Sequence, residues 1–364
     1  MPSVDFALIG HLESWSTAAA VISALRGADR PAIRSEELRE ILPWIPPRTV
    51  CRVTITSSNG SEAHGVYIDS FIPPDRLAER FLRENLARVR QAAEYAVREG
   101  AKIAALGGFS SILLEGNIGA LPRNSRTAFT TGNTLTVALI MRGLECALEF
   151  AGRDLGRANV LIIGASGDVG SGCARCLAPR VSQLLLCARN PNRLQALATE
   201  LSESRTPVHS GTDLAQFSSQ ADLVICAASM PAPALSPEAL SPEAIICDVG
   251  YPKNLLPGFA PAEGAVFFGG LGQVRGRLRL HPDLLGILNP QPFPDIVHGC
   301  LLEGMLLALD RRFEPFSQGR GRITPQRVQE IWDLAQKHGI TLGPLCDADG
   351  PVEARISDLA GEVR

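Results

Sequence analysis

The stretch NVLIIGASGDVGSGCARCL, residues 159–177, decides the fold. An apolar run, Val160 to Ile163, leads directly into Gly164, Gly167 and Gly170, and a helical pattern follows. The first glycine permits a tight turn, the second lets the backbone approach a pyrophosphate, and the third permits close helix packing. The helix N-terminus then offers N–H donors to phosphate. Three glycines alone are a weak signal, but here a strand precedes the turn and a helix follows it. Candidate dinucleotide contacts are Gly164, Ser166, Gly167, Val169 and Gly170, with Asp168 ordering the turn.

Working outward, QLLLCAR (183–189), RLQALATEL (193–201), ADLVICAAS (221–229), AIICDVG (244–250) and AVFFGGL (265–271) alternate short apolar strands with helical patterns. That is the mark of a buried parallel sheet. The end of the second strand distinguishes the two nicotinamide dinucleotides. An acid there holds a ribose 2′-hydroxyl, whereas this chain carries Arg189, Asn190 and Arg193 and no acid. Arginine pairs a 2′-phosphate in bidentate fashion, so NADPH is the expected cofactor. Later strand ends carry Ser229, Met230 and the loop Gly250–Asn254, on the side where such sheets bind ligands. Tyr251 and Lys253 are two apart across a proline. This excludes the helical Tyr–Lys pair, four apart, of short-chain dehydrogenases.

The region before residue 156 reads as a separate α/β segment. A short strand covers Asp5 to Ile9. VCRVTITSS and HGVYIDSFI flank Asn59-Gly60, a hairpin signal. Residues 75–99 read as an amphipathic helix with Leu77, Phe81, Leu82, Leu86 and Val89 on its apolar side. KIAALGGFSSILLEG reads as strand, glycine loop and apolar segment, and 131–150 as a second long helix. The tail is Pro-punctuated and mainly helical. The expected organisation is an α/β protein: a substrate-side domain over 1–155, an NADP-binding Rossmann domain over 156–288, and a C-terminal helical region over 289–364.

Composition narrows the function classes. Net charge is −3 in 364 residues, with 45% hydrophobic and 20% charged residues. This is a globular balance with no overall drive toward nucleic acid. No apolar run approaches the ~18 residues of a spanning helix. The nine cysteines are an odd number, several inside apolar runs, which fits reduced thiols in the cytoplasm. Cys173-Ala-Arg-Cys176 lies in the helix after the glycine turn with no second pair, so no metal site is expected. Of 35 basic residues only Lys102, Lys253 and Lys337 are lysines.

Cys300 sits in a helical pattern, HGCLLEGMLLALD. By itself it reads as core. His298, two residues away, cannot face it, and Glu303 at i+3 would raise its pKa. Taken together, however, LIGHLES (8–14), ALGGFSSI (105–112), FTTGNT (129–134), GASGDVGS (164–171), CARN (187–190), ASMP (228–231), GYPKN (250–254) and CLLEGMLL (300–307) resemble the long-chain acyl-[acyl-carrier-protein] reductases. FSQGRGRIT (316–324) matches more loosely. Leu135 stands where that family often has histidine.

The resemblance implies that Cys300 is an acyl acceptor. Its thiolate attacks a thioester. NADPH then reduces the acyl-cysteine to a fatty aldehyde. Lys253 is a candidate for lowering the thiol pKa or steadying an oxyanion, with a structural or phosphate-facing role as the alternative. Ser110, Ser111, Thr130, Thr131, Asn133 and Tyr251 are substrate-side candidates, against plain turn or capping roles. Phe109, Ile112 and Leu113 are candidate linings for an acyl chain. The acyl donor is expected to be acyl carrier protein or acyl-CoA, with an aldehyde-consuming enzyme as a further partner. An acidic carrier needs a local arginine surface. Candidates are Arg275, Arg277 and Arg279; Arg311, Arg312, Arg320 and Arg322; and Arg80, Arg83, Arg88 and Arg90. The competing reading is an NADP-dependent dehydrogenase of the shikimate or amino-acid type acting on a small polar substrate. A third is a non-catalytic nucleotide-binding scaffold.

Overall fold

The computed structural model describes residues 3–361 except 28, 116–117, 123–125, 229–234, 251–252, 256–257, 289–292, 294 and 320. The strands among them are β1 (Phe6–Gly10), β2 (Arg48–Thr56), β3 (Glu62–Asp69), β4 (Ile103–Leu106), β5 (Ala128–Thr130), β6 (Asn159–Ile163), β7 (Gln183–Cys187), β8 (Val208–Gly211), β9 (Leu223–Cys226), β10 (Ile245–Asp248), β11 (Ala265–Phe268), β12 (Leu271–Val274), β13 (Arg277–His281), β14 (Ile296–His298) and β15 (Ile340–Leu342). The helices are α1 (Trp15–Arg26), α2 (Ser35–Ile41), α3 (Leu82–Arg98), α4 (Phe109–Leu114), α5 (Asn133–Phe150), α6 (Asp168–Leu177), α7 (Pro191–Leu201), α8 (Leu285–Leu288), α9 (Gly299–Leu309), α10 (Pro325–Lys337) and α11 (Glu353–Gly361).

Two compact units form, each from three stretches of chain. The first takes Met1–Gly132, Gly272–Gly319 and Asp333–Thr341; the second takes Asn133–Leu271, Arg320–Trp332 and Leu342–Arg364. This corrects the expected three consecutive segments. The physical reason is packing. α5 lies on α6 and β10, so it groups with the dinucleotide sheet. β13 pairs with β2, and α9 packs on β4 and β1, so both group with the N-terminal sheet. The tail is mainly helical, as expected, through α9, α10 and α11, and it also carries β14 and β15, which flank β12 in a small sheet.

In the first unit the sheet order is β13-β2-β3-β1-β4-β5. β3, β1, β4 and β5 are parallel; β2 folds back on β3 around Asn59-Gly60, and β13 adds antiparallel at the edge. β1 and β4 are buried along their whole length, which explains their continuous apolar character. α9 approaches β4 closely: a Cβ on Gly304 would fall 2.6 Å from the Cβ of Ala105. The helix read over 75–99 begins only at Leu82. Pro74 opens a separate 3₁₀ turn, and Leu77 leaves helical geometry at ψ 62°. Its buried face is Asn85, Val89, Ala92, Ala93 and Ala96, while Leu82 is 43% exposed.

The second unit is an all-parallel sheet in the order β11-β10-β9-β6-β7-β8. Read from β6, this is the doubly wound order of a Rossmann fold. Its core includes Leu161, Leu185, Val224, Ile246 and Val266 from five adjacent strands. β8 was not expected; VHSG is a largely solvent-facing edge strand without an apolar pattern.

Candidate functional site

In the first unit the parallel strands end in short loops at one edge. β1 runs into His11, β3 into Ser70-Phe71, β4 into Gly107-Gly108 and β5 into Thr131-Gly132. Ligands of open α/β sheets bind beyond such carboxyl ends. α9 begins at two of these loops. Cys300 is its second residue, after His298 at the N-cap, and is partly exposed. The N–H of Gly108 points at Cys300 Sγ over 3.5 Å. On another side, a Cβ on Gly132 would fall 2.0 Å from the Cys300 carbonyl oxygen. Gly132 therefore has to be glycine, both for space and for its φ of +69°.

Burial pushes the Cys300 thiol above its ordinary value. The amides of Gly108, Leu301 and Cys300 itself pull the other way, and Glu303 adds to the rise. The helix N-terminus is thus a counterweight favouring the thiolate. Glu303 is fully buried one turn further on. Its carboxylate accepts the hydroxyl of Thr130 at one oxygen and that of Ser317 at the other, the latter over 2.9 Å. Ser317 N–H donates to Thr130 Oγ1 over 2.9 Å, and Thr131 N–H donates to the Ser317 carbonyl over 2.9 Å.

These bonds sort the substrate-side candidates. Thr130 is engaged by Glu303 and Ser317, so its hydroxyl braces α9. Ser111 Oγ donates to the Gly108 carbonyl over 2.8 Å and closes the turn. The hydroxyls of Ser110 and Thr131 are buried with no hydrogen-bond partner among the described residues. They are the polar groups beside Cys300's two loops that stay available. Asn133 falls in the second unit, where its amide donates to Asp168 Oδ2 over 2.8 Å. It helps to order the glycine turn. Phe109 and Leu113 are core. Tyr251, Ser229 and Met230 lie outside the described residues.

The glycine turn of the second unit is built as expected. Gly164 has φ +83°, and a Cβ there would fall 2.7 Å from the Ala227 carbonyl oxygen. A Cβ on Gly170 would fall 2.4 Å from the Gly164 oxygen. Gly167 is the N-cap of α6 and supplies no side-chain cap, and a helix N-terminus of this kind suits a phosphate. Ser166 and Val169 flank it, part-buried. After β7, Arg189 and Arg193 are exposed, and Asn190 caps α7 through the N–H of Arg193 over 3.0 Å. A helix terminus after a glycine turn, with two arginines beyond the second strand, fits NADPH, and residue by residue these groups are its candidate contacts. Lys253 Nζ donates to the Asp248 carbonyl over 3.1 Å and lies 4.3 Å from the centre of the Phe268 ring.

Several basic candidates are occupied internally. Arg88 donates to the backbone carbonyls of Ile45 and Pro43. Arg311 pairs with Asp5 over 2.9 Å, and Arg312 with Glu314 over 2.5 Å. Arg320 lies outside the described residues. Arg277 and Arg279 project from β13 and are exposed. His11 was not singled out from the sequence. Its signal was a lone histidine closing an apolar strand; its contact is Phe109, the residue after the glycine pair that follows a neighbouring strand.

Fold and turn define the class first: an oxidoreductase with an NADP-binding Rossmann unit. The Shikimate / quinate 5-dehydrogenase family model matches residues 145–268, most of that unit. The long-chain acyl-[acyl-carrier-protein] reductase of Synechococcus elongatus is 34% identical over 344 residues, covering 92% of this chain and 97% of that protein. The chain belongs to the long-chain acyl-[acyl-carrier-protein] reductase family. Aminotransferase PigE of a Serratia species is 28% identical over 298 residues, which are 80% of this chain but 34% of PigE. Quinate dehydrogenase from Corynebacterium glutamicum in complex with NAD is 18% identical, covers 68% of this chain and 80% of its own, and has a TM-score of 0.33. Among the described residues no helix is long and apolar enough to cross a membrane.

Proposed function

We propose that this protein reduces a long-chain acyl thioester to a fatty aldehyde through an acyl-Cys300 intermediate, with NADPH as reductant. The observation that carries this reading is the Gly108 N–H aimed at Cys300 Sγ at the start of α9. A thiol so placed has the local means to ionise despite its burial. In the first half-reaction the Cys300 sulfur bonds to the thioester carbonyl carbon. The carrier thiol leaves with the proton that Cys300 gave up. Exchange of one thioester for another is nearly balanced, so the protein's task is to steady the tetrahedral oxyanion. Ser110 and Thr131 are the hydroxyls assigned to that task. Bound NADPH supplies the hydride that reduces the acyl-cysteine. Collapse then breaks the C–S bond, releases the aldehyde and restores the thiolate.

Arg189 and Arg193 hold the 2′-phosphate and the α6 N-terminus the pyrophosphate, with Gly164, Ser166, Gly167, Asp168, Val169, Gly170, Asn190, Ser229 and Met230 completing the cofactor contacts. Lys253 and Tyr251 act on the substrate side of the GYPKN loop. The acyl donor is a carrier protein or CoA, the setting is the cytoplasm, and the aldehyde passes to an enzyme that consumes it. The decisive experiment supplies acyl thioester without NADPH and reads the intact mass. Wild type gains one acyl group, released when NADPH is added, and Cys300→Ala gains none. Acylation that persists in Cys300→Ala ends the assignment.

The Shikimate / quinate 5-dehydrogenase match favours one competitor, a dehydrogenase acting on a small hydroxy acid. It covers the dinucleotide unit and not Cys300. Full turnover of such an acid by Cys300→Ser is the outcome that selects it.

A further inference from the structure

We propose that His11 is a positioning residue for the Cys300 thiol, acting through the backbone of the Gly107-Gly108-Phe109 turn and not by proton transfer. The geometry is a sequence of three successive amides. Gly107 N–H donates to the Ile9 carbonyl over 2.8 Å, continuing the pairing of β1 with β4. Phe109 N–H donates to His11 Nε2 over 3.1 Å. Between these two clamps, Gly108 N–H points at Cys300 Sγ. Both clamps come from β1 or the residue after it, so β1 sets the direction of the middle amide.

The turn has little freedom to find this direction otherwise. Gly108 adopts φ 51°, ψ −126°, a conformation that side-chain-bearing residues rarely take. A Cβ on Gly107 would fall 2.5 Å from Leu301, the residue after the cysteine. Turn and helix are therefore fitted to each other, and a small rotation of the turn takes the amide off the sulfur.

His11 is suited to holding a backbone amide and unsuited to moving protons. It is 8% exposed, and its ring meets that of Phe109 edge-on at 6.3 Å and 85°. An Nε2 that accepts an N–H carries no proton of its own, which fixes the neutral tautomer protonated at Nδ1. Burial agrees, holding the imidazole down to about 4. Among the described residues the charged side chain acting on the sulfur is Glu303, on its own helix; the turn contributes only an amide. Loss of that amide moves the thiol toward its protonated form.

The consequence for acyl transfer rests on Cys300 being the acyl acceptor, but the test does not. Iodoacetamide alkylation of Cys300 in the full chain, read by peptide mass from pH 6 to 10, reports thiol ionisation without acyl substrate. Two polar replacements separate the roles. In His11→Gln the side-chain oxygen reaches the place of Nε2 and accepts the Phe109 N–H. In His11→Asn it falls short. His11→Gln keeps the wild-type profile, and His11→Asn alkylates at least about threefold more slowly at pH 8, with its midpoint moved up. Wild-type behaviour of His11→Asn overturns the proposal, as does His11→Gln slowed as much as His11→Asn, which means that the imidazole itself is needed. A measurement on wild type covers a variant that does not fold. Imidazole nitrogen shifts of His11 are expected to show Nε2 unprotonated and unchanged from pH 6 to 9, and titration in that range refutes the inference. A missing acyl adduct overturns the proposed function and leaves these results standing.

Discussion

Gly132 packs against Cys300 so closely that its Hα occupies the space a methyl group needs: a Cβ would sit 2.0 Å from the cysteine's carbonyl oxygen and 2.4 Å from its Cα. Both contacts are backbone, which cannot rotate away as a side-chain tip can. The start of α9 is thereby set by the loop after β5.

Gly132→Ala is therefore expected to act on stability and reactivity together. The positive φ costs about 1–3 kcal/mol for a residue with a side chain, and the overlap adds to it. Thermal melting gives the first quantity. If the helix start shifts to make room, acyl-adduct formation slows by at least about tenfold in the folded fraction. A variant with wild-type melting and wild-type acylation shows that the loop yields without moving Cys300.

Two buried groups near these loops make opposite demands on pH. Burial pushes Asp69 up to about 7, against amide and hydroxyl bonds from Phe71 and Tyr67. Its folded form holds a proton that the unfolded chain releases near 4, so its stabilising effect is full below about 4 and lost as pH rises toward 7. His11, held down to about 4, does the reverse. Its folded form refuses a proton that the unfolded chain takes up near 6.5, so stability falls as pH drops from 6.5 to 4. The two effects are of similar size, roughly 4 and roughly 3 kcal/mol, and largely offset each other. Wild-type stability is expected to be nearly level between pH 4 and 6.5. Asp69→Asn uncovers the His11 slope, with stability rising over that range, and His11→Gln uncovers the opposite slope. Urea melts at four pH values decide it.

In the proposed function, cofactor choice rests on the residues after β7. Arg189→Ala with Arg193→Ala is expected to weaken NADPH binding by about tenfold or more, since on this assignment a doubly charged phosphate would lose its arginine partners. NADH has no such phosphate and binds as before. Nicotinamide fluorescence titrations with both dinucleotides make the comparison. Equal weakening of both means that the arginines support the turn and do not read the phosphate.

The second unit, β8 apart, was legible because its other five strands are short, continuous and apolar, and because the glycine spacing carries its own geometry. The site in the first unit was legible only in part. The helix of Cys300 was visible as a pattern, but what faces the sulfur comes from residue 108, and the brace on Glu303 comes from residues 130 and 317. Pairings across such distances leave no periodicity in the chain. Thr130 and Asn133 look alike in FTTGNT, yet one bonds Glu303 and the other Asp168. Local sequence cannot tell them apart because the difference lies in what each meets. The start of α3 was misplaced for a simpler reason: apolar spacing runs smoothly through Leu77, where the backbone has already turned.

The remaining prediction concerns the carrier. Arg277 pairs with Thr56 and Arg279 with Thr54 across β13 and β2, and register partners share a face of the sheet. His281 opposite Arg52 extends the same face, and all four of these basic side chains are exposed. β13 is the edge strand of its sheet among the described residues, so no further described strand flanks this strip. An acidic carrier protein presenting its acyl group would meet complementary charge here, and such contacts act chiefly on association. Arg277→Glu with Arg279→Glu is expected to raise KM for acyl-carrier substrate by about tenfold or more at low salt, and by less at 0.5 M salt, where screening shortens the reach of charge. kcat, and both constants with a short acyl thioester lacking the carrier, stay at wild-type values. Losses of the same size with the small thioester would place the effect in the fold and remove the strip as a docking surface.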